Sequence, residues 1–448
     1  MTQTFDLIVR GGTLVSHDGI AAGDVGIRGG RTVAIGDLSR ADAAQVIDAA
    51  GLHVLPGVID SQVHFREPGN EHKEDLATGT AAAALGGVTA IFEMPNTSPL
   101  TTTADALADK VARMEGRSRV DFAFYVGAAA ENATELPELE RQPGCCGVKL
   151  FMGASTGDLL VADDPTIARV LAHGHRRMAI HAEDEPRMQE RKHLAVESPH
   201  NHPVWRDAES ALLATKRLVA LARAAGRRIH VLHITTAEEI EFLADHKDIA
   251  TVEVTPQHLT LEAPDCYDRL GSLAQMNPPI RDGQHRAGLW RGVAAGIVDV
   301  IGSDHAPHTL EEKQRPYPQS PSGMPGVQTL LPLLLDHMNA GRLSLERLVD
   351  LTSAGAQRLF GLVARGRLVV GYQADLTLVD LAAKRQITGD WLASKCGWSP
   401  FEDRWITGWP MATIVRGHVV MRDGSLQGDP LGQPIRFTDT LEGEDGTE

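Results

Sequence analysis

Three histidines, an aspartate, a lysine, an arginine and an asparagine stand at or near the ends of apolar runs in this chain. They are His64 and Arg66 after "GVIDSQV", Asn96 after "TAIFEMP", Lys149 in "CCGVKLF", His181 in "MAIHAE", His233 in "IHVLHIT" and Asp304 in "VDVIGSDHAP". Taken singly, each has an ordinary reading: a strand-end histidine is usually hydrogen-bonded, and a lone lysine usually makes a salt bridge. Seven of them together are costly to bury unless they are paired or bind something. Imidazole and carboxylate suit Zn2+ or a similar borderline cation. Lys149 is the odd member, because an ammonium repels a metal. Desolvation lowers a lysine's pKa and exposes a neutral, nucleophilic amine. Such an amine takes up CO2 to form a carbamate, whose two oxygens are able to bridge two cations. The competing reading pairs Lys149 with Asp304 or with a substrate carboxylate, and the residues alone leave both open.

The stretch "GVIDSQVHFREPG" (57–69) departs from the expected metal-site pattern. Two imidazoles one residue apart, His-x-His, are usual there, and this chain has Gln62-Val63-His64. Strand alternation puts Gln62 and His64 on the same side. A glutamine amide oxygen is neutral and a poorer zinc ligand than imidazole.

The elements that must carry these residues are β-strands alternating with Ala- and Leu-rich helical segments such as "EDLATGTAAAALGG" and "AESALLATKRLVALARAAG". The strands expected are "VLPGVIDSQVH", 89–95, 121–127, 145–151, 178–183, 229–235, 251–256 and 298–307. Eight strand–helix repeats over roughly 300 residues fit an α/β fold, a (β/α)8 barrel with its chemistry at the C-terminal strand ends. Residues 55–365 are assigned to this barrel. Gly-punctuated, β-branched stretches fill 5–54 and recur in "ADLTLVD" and "ATIVRGHVVMRDG". They predict a small β-sandwich domain formed by 1–54 together with 366–435. Residues 436–448 are rich in acids and are expected to be a disordered tail.

A formal charge of −16 argues against a nucleic-acid surface, which needs a basic face. Aromatics are only 4% of the chain, so the core must be built from Ala, Val, Leu and Ile. Four cysteines in 448 residues do not make a disulfide framework and fit a reducing cytoplasm. No signal peptide is visible at the N-terminus, and "LLPLLL" (330–335) is too short to cross a bilayer.

Taken in order, "GVIDSQVHFREPG", "EMPNT", "GVKLFMGASTG", "IHAED", "LHIT", "MNPPIR", "GSDHAPHTLEEK" and "PSGMPGVQTLLPLLL" resemble the dihydroorotases of the amidohydrolase superfamily. The resemblance spans residues 5–425. It implies a barrel with a small β domain, one or two Zn2+ per subunit, and the reversible cyclisation of N-carbamoyl-L-aspartate to L-dihydroorotate in pyrimidine biosynthesis. It implies His64, Lys149, His181, His233 and Asp304 as metal ligands, with Lys149 carboxylated by CO2 as the bridge. Asp304 is the implied general base and then acid. Arg66 is suited to grip a ring carboxylate bidentately, helped by Asn96 and His308. Asn277 would read a ring carbonyl or amide, and Ser322 and Gly323 would offer backbone groups to the ring. His258 and His305 are expected to be supporting or structural. His53, His72, His173, His175, His193, His200, His202 and His246 are expected in surface or loop positions. A homodimer is the implied assembly.

Two other readings compete. An allantoinase or hydantoinase shares the barrel and the carboxylated lysine, but its substrate lacks a carboxylate where Arg66 would hold one. A catalytically silent dihydroorotase-like subunit of aspartate transcarbamoylase would account for Gln62. It would leave the other ligand-type residues without a purpose.

Overall fold

The computed structural model describes residues 4–154 and 159–441. Eight parallel strands form the central sheet, and they coincide with the eight expected from sequence. These are β6 (Val58–Val63), β7 (Val88–Glu93), β8 (Asp121–Gly127), β9 (Cys145–Phe151), β10 (Met178–His181), β11 (Ile229–Val231), β12 (Ala250–Val254) and β13 (Val300–Ile301). Every residue of these strands is buried. Helices cover the outside and side chains fill the inside, so both faces of a strand such as Val-Thr-Ala-Ile-Phe-Glu must avoid water. Neighbours pair in chain order from β6 to β13. The ring closes where the His64 N–H donates to His305 O at 2.7 Å.

The helices between strands carry local start and stop signals. Asp75 caps Leu76–Leu85 in a capping box with Thr78. Thr236 and Glu239 make the same motif at Ala237–Ala244. Asp207 caps Ala208–Ala225, which ends at Gly226 with φ 66°, a left-handed conformation that glycine adopts without penalty.

Both ends of the chain build one nine-stranded mixed sheet. The N-terminal part is β1 (Phe5–Ser16), β2 (Gly19–Arg28), β3 (Arg31–Gly36), β4 (Ala43–Asp48) and β5 (His53–Pro56). The C-terminal part is β14 (Leu376–Gln386), β15 (Trp405–Val415), β16 (His418–Arg422) and β17 (Ser425–Leu426). β5 joins the two halves by pairing with β1 on one side and β14 on the other. Leu7, Val25, Ile47, Val54, Leu376 and Ile414 lie in its core.

Two stretches differ from the expected division. Residues 387–404, assigned to the small domain, lie against the catalytic end of the barrel. There the Trp398 indole N–H donates to His308 O at 2.7 Å, and Trp398 and Phe401 are buried with Met276 and Met324. Residues 432–441, assigned partly to the small domain and partly to a disordered tail, run under the barrel floor. Phe437 is 1% exposed and packs edge-on against Phe92. An acidic, sparsely apolar segment is held there by two aromatic or branched anchors, Phe437 and Ile435, which local composition averages away. The remainder of the expected tail, 442–448, lies outside the described residues, as do 155–158.

Candidate active site

A small polar cavity opens at the C-terminal ends of the barrel strands. Gln62, His64, Arg66, Asn96, Lys149, His181, His233, Asn277, Asp304, Ser322 and Gly323 all lie on its wall. The fold thus gathers every expected site residue except His308 onto one surface.

Positive φ values mark three of these side chains: Arg66 at 64°, His233 at 37° and Asp304 at 44°. Left-handed backbone is strained for residues with a Cβ and is held only where the surroundings over-determine it. Here it turns each residue out of its strand and into the mouth of the barrel.

The hydrogen bonds assign a tautomer to His64 and to His181. His64 Nδ1 sits 2.8 Å from the Asn96 amide oxygen, so Nδ1 carries the proton. The His64 Nε2 lone pair then faces the Asp304 carboxylate at 3.3 Å. His181 Nε2 donates to Glu183 at 2.9 Å, which leaves Nδ1 as a lone pair 3.0 Å from His233 Nε2. A buried carboxylate behind a ligating histidine is the usual way to fix its ring and tautomer. Burial would raise the Glu183 carboxyl, but the Arg206 guanidinium and His181 outweigh it and hold it below its ordinary range. Burial likewise lowers His64, His181 and His233, so all three imidazoles are neutral and able to donate lone pairs.

Lys149 is 1% exposed, and among the described residues its Nζ has no hydrogen-bond partner. The amine lies 4.3 Å from the Phe151 ring centroid. Burial pulls its pKa down to about 7, with Asp304 and Glu253 acting in the opposite direction. The ion pair with Asp304 that sequence left open is not made among the described residues. Glu253 is pushed up to about 8 by burial, so it too is a poor counter-ion at neutral pH. A half-neutral amine with no partner among the described residues, on the same wall as His64, His181, His233 and Asp304, is a candidate for carboxylation and for a part in holding divalent cations. His64, Asp304 and the Lys149 carbamate would hold one; His181, His233 and the carbamate the other.

Gln62 does face this centre, as alternation requires. Its Nε2 donates to Asp304 Oδ1 at 3.0 Å, while its buried Oε1 has no partner among the described residues. Gln62 therefore orients the aspartate.

Arg66 is 5% exposed and is anchored by its Nε–H to Pro307 O at 3.0 Å. No carboxylate among the described residues lies at ion-pair distance from it. Burial draws its pKa down to about 10, against the fields of Asp304, Glu93, Glu312 and Glu74. His308 stands behind Arg66 and not on the cavity wall. Its Nε2–H donates to Ser322 O at 3.0 Å, and its Nδ1 receives from Lys73 Nζ at 3.2 Å. Burial holds this ring neutral, its pKa near 3. The Arg66 NH2, 3.3 Å from a ring nitrogen that already bears a proton, keeps its own hydrogens for a ligand. His308 is thus a post that shapes the guanidinium pocket, a correction to its expected substrate contact.

Gly323 also departs from expectation. Its N–H donates to Gln275 O, and its carbonyl accepts from Lys313 Nζ. Its φ is 137°, and a Cβ there would lie 2.4 Å from Ala306 O, so the position serves close backbone approach. Ser322 Oγ accepts from Gln275 Nε2 at 3.0 Å.

His202, expected on the surface, is fully buried. Its Nε2–H points to Asn277 Oδ1 at 2.9 Å and Met276 O at 3.1 Å, and Tyr317 OH lies 3.3 Å from Nδ1. The contact fixes the Asn277 amide with its oxygen toward His202, leaving the NH2 as the group to meet a ligand carbonyl. Sequence reading missed Glu183, Arg206 and His202. Glu183 had a signal, since it lies two residues past His181 on the same side of the strand. The other two had none: their partners are distant in sequence.

This assembly, neutral imidazoles, a carboxylate and a desolvated lysine at the mouth of a (β/α)8 barrel, defines a metal-assisted hydrolase site. Residues 53–420 match the model of the amidohydrolase family, and the chain belongs to that family. It is 39% identical to a dihydroorotase of Halobacterium salinarum over 92% of this chain and 96% of that one. It is 35% identical to an allantoinase of Rubrobacter xylanophilus over 97% and 98%. The solved structure of an L-hydantoinase (dihydropyrimidinase) from Arthrobacter aurescens superposes with TM-score 0.91 at 32% identity, covering 96% of this chain and 99% of that one. Within the family, the protein is a cyclic amidohydrolase.

Proposed function

We propose that the protein is a dihydroorotase, closing N-carbamoyl-L-aspartate to L-dihydroorotate and reopening it in a metal-dependent reaction. Arg66 carries this reading. A buried guanidinium on the cavity wall with no carboxylate partner among the described residues calls for an anionic ligand. Dihydroorotate has a ring carboxylate; allantoin and simple hydantoins do not.

The donor set fits Zn2+, which when bound supplies Lewis acidity that activates water and polarises the amide carbonyl. The chain's own residues do the rest. Arg66 holds the ring carboxylate, with Asn96 beside it. The Asn277 NH2, aimed by His202, meets a ring carbonyl. In the hydrolytic direction Asp304 accepts the proton of the attacking water at its carboxylate and delivers it to the departing ring nitrogen. Cyclisation runs these proton transfers in reverse. The Gln62 amide bond to Asp304 Oδ1 keeps that carboxylate in place through both.

Gln62 is the observation that favours a silent, transcarbamoylase-associated subunit. The His64 Nε2 and Asp304 Oδ1 still converge beside it, which supports an active enzyme. No helix among the described residues is long and apolar enough to cross a membrane. We place the enzyme in the cytoplasm as a homodimer.

The test is turnover of purified, Zn2+-loaded protein with dihydroorotate, allantoin and a 5-substituted hydantoin. The reading expects dihydroorotate to be preferred by at least two orders of magnitude in kcat/KM. Preference for allantoin or the hydantoin overturns it. No turnover of any of them, with metal bound, makes the chain the silent subunit.

A further inference from the structure

We propose that the floor of the barrel, at the end opposite the catalytic cavity, binds a phosphorylated small molecule. The inference is independent of which cyclic amide is the substrate. A cavity of about 260 Å3 lies there, with Arg176, Arg177, Arg228 and Arg358 on its wall. Arg176 and Arg177 come just before β10, and Arg228 just before β11, so the guanidiniums cluster at the N-terminal strand ends.

Two of the four are accounted for within the fold. Arg176 pairs with Asp439 at 2.6 Å, and Arg358 with Asp350 at 2.6 Å. The other two are not. Arg177 spends one nitrogen on the carbonyls of Ile229 and Ile249, at 2.9 and 3.4 Å. Its Nε is buried with no partner among the described residues. Neither Arg177 nor Arg228 has a carboxylate at ion-pair distance among those residues. Asp299, whose field acts on Arg177, is already paired with Lys247. Burial and the field of Arg228 together draw the Arg177 pKa down to about 10. Two adjacent unneutralised guanidiniums in a partly buried concavity repel each other, and a dianion between them removes that cost.

The shape supports more than a bare ion. Leu359 and Phe360 form an apolar wall beside the arginines, and Phe360 is only 8% exposed. Guanidinium forks suit phosphate oxygens, and the wall suits the carbon skeleton of a phosphate ester. The alternative is that the arginines only tie the barrel floor together. That accounts for Arg176 and Arg358 but leaves Arg228, exposed at the rim, without a task.

The experiment is isothermal titration of the full-length protein with inorganic pyrophosphate and with ATP, at constant ionic strength. Arg228→Glu, Arg228→Lys and Arg66→Met are measured beside the wild type. Arg228 is exposed and makes no ion pair among the described residues, so Arg228→Glu should fold and keep cyclic-amide turnover. Both ligands should bind the wild type. Arg228→Glu should weaken them at least tenfold, and Arg228→Lys and Arg66→Met should retain them. ATP should bind more tightly than pyrophosphate, because only it reaches the apolar wall. Absent binding, or equal binding by Arg228→Glu, overturns the site. Loss in Arg66→Met relocates the anion to the catalytic cavity and overturns it equally. Equal affinity for the two ligands overturns the ester and leaves a simple anion site.

Discussion

Replacing Arg66 by methionine tests the substrate assignment most directly. The wild-type guanidinium spends its Nε–H on Pro307 O. The group lies on the cavity wall, and His308, 3.3 Å from its NH2, offers no acceptor, because the His308 Nε2 proton is committed to Ser322 O. Two charge-assisted hydrogen bonds to a substrate carboxylate are therefore available. At about 1.5 kcal/mol each, they amount to about 3 kcal/mol, or about 150-fold in kcat/KM. The carboxylate does not change charge during the reaction, so the contact is as strong in the ground state as in the transition state. The loss should fall mainly on KM, with kcat changed by less than about tenfold. Methionine fills the pocket but leaves Pro307 O unsatisfied, a stability cost of about 1–3 kcal/mol. A thermal melt should therefore accompany the kinetics, which are followed by the absorbance of ring opening. A ring without the carboxylate should be turned over by the variant no worse than by wild type. Unchanged kcat/KM toward dihydroorotate would refute the reasoning, and so would an equal loss on the uncharged ring.

Three further outcomes are expected. Lys149→Met should lose most bound metal and activity, and wild-type density at high resolution should show a carbamate on Nζ; a variant that keeps both metal and rate removes the bridge. With zinc limiting, anomalous scattering should show the His181/His233 position fuller than the His64/Asp304 position, since Gln62 bonds to Asp304 and adds no imidazole; Gln62→His should narrow the difference, and equal occupancy in the wild type counts against a weak site. His202, buried and held down to about 3 from 6.5 by burial and then by Arg206, binds no proton in the folded state where the unfolded chain does. Its contribution is complete above pH 6.5 and is lost as the pH falls toward 3, at most a few kcal/mol. Melting temperatures should fall from neutral pH to about pH 5 and fall less steeply in His202→Gln; parallel curves would mean that His202 is not the titrating group.

The polar residues at the strand ends are legible in the sequence itself. Period-two alternation says which side chains share a face, and an apolar run that stops at a histidine or aspartate says which end of the strand they occupy. That is why the sequence marks His64, His181, His233 and Asp304, with Gln62 beside His64, as one centre, and why it marks the eight strands where they lie. The barrel order also followed, since each strand–helix unit is a local pattern repeated. What local pattern does not encode is the choice of hydrogen-bond partner across the ring. Gln62 meets Asp304 across 242 residues, His202 meets Asn277 across 75, and His308 reaches back to Lys73 across 235. These pairings exist only once the ring has closed and burial has left each polar atom few places to bond. The same closure turned His202 from an ordinary loop histidine into a buried one and drew Phe437 under the floor. It also left Lys149 and the Arg66 fork without the ion pairs, among the described residues, that a surface lysine or arginine would find. The residue types at the site are a property of the chain; their tautomers, their charge states and the groups left free for a ligand are properties of the folded ring.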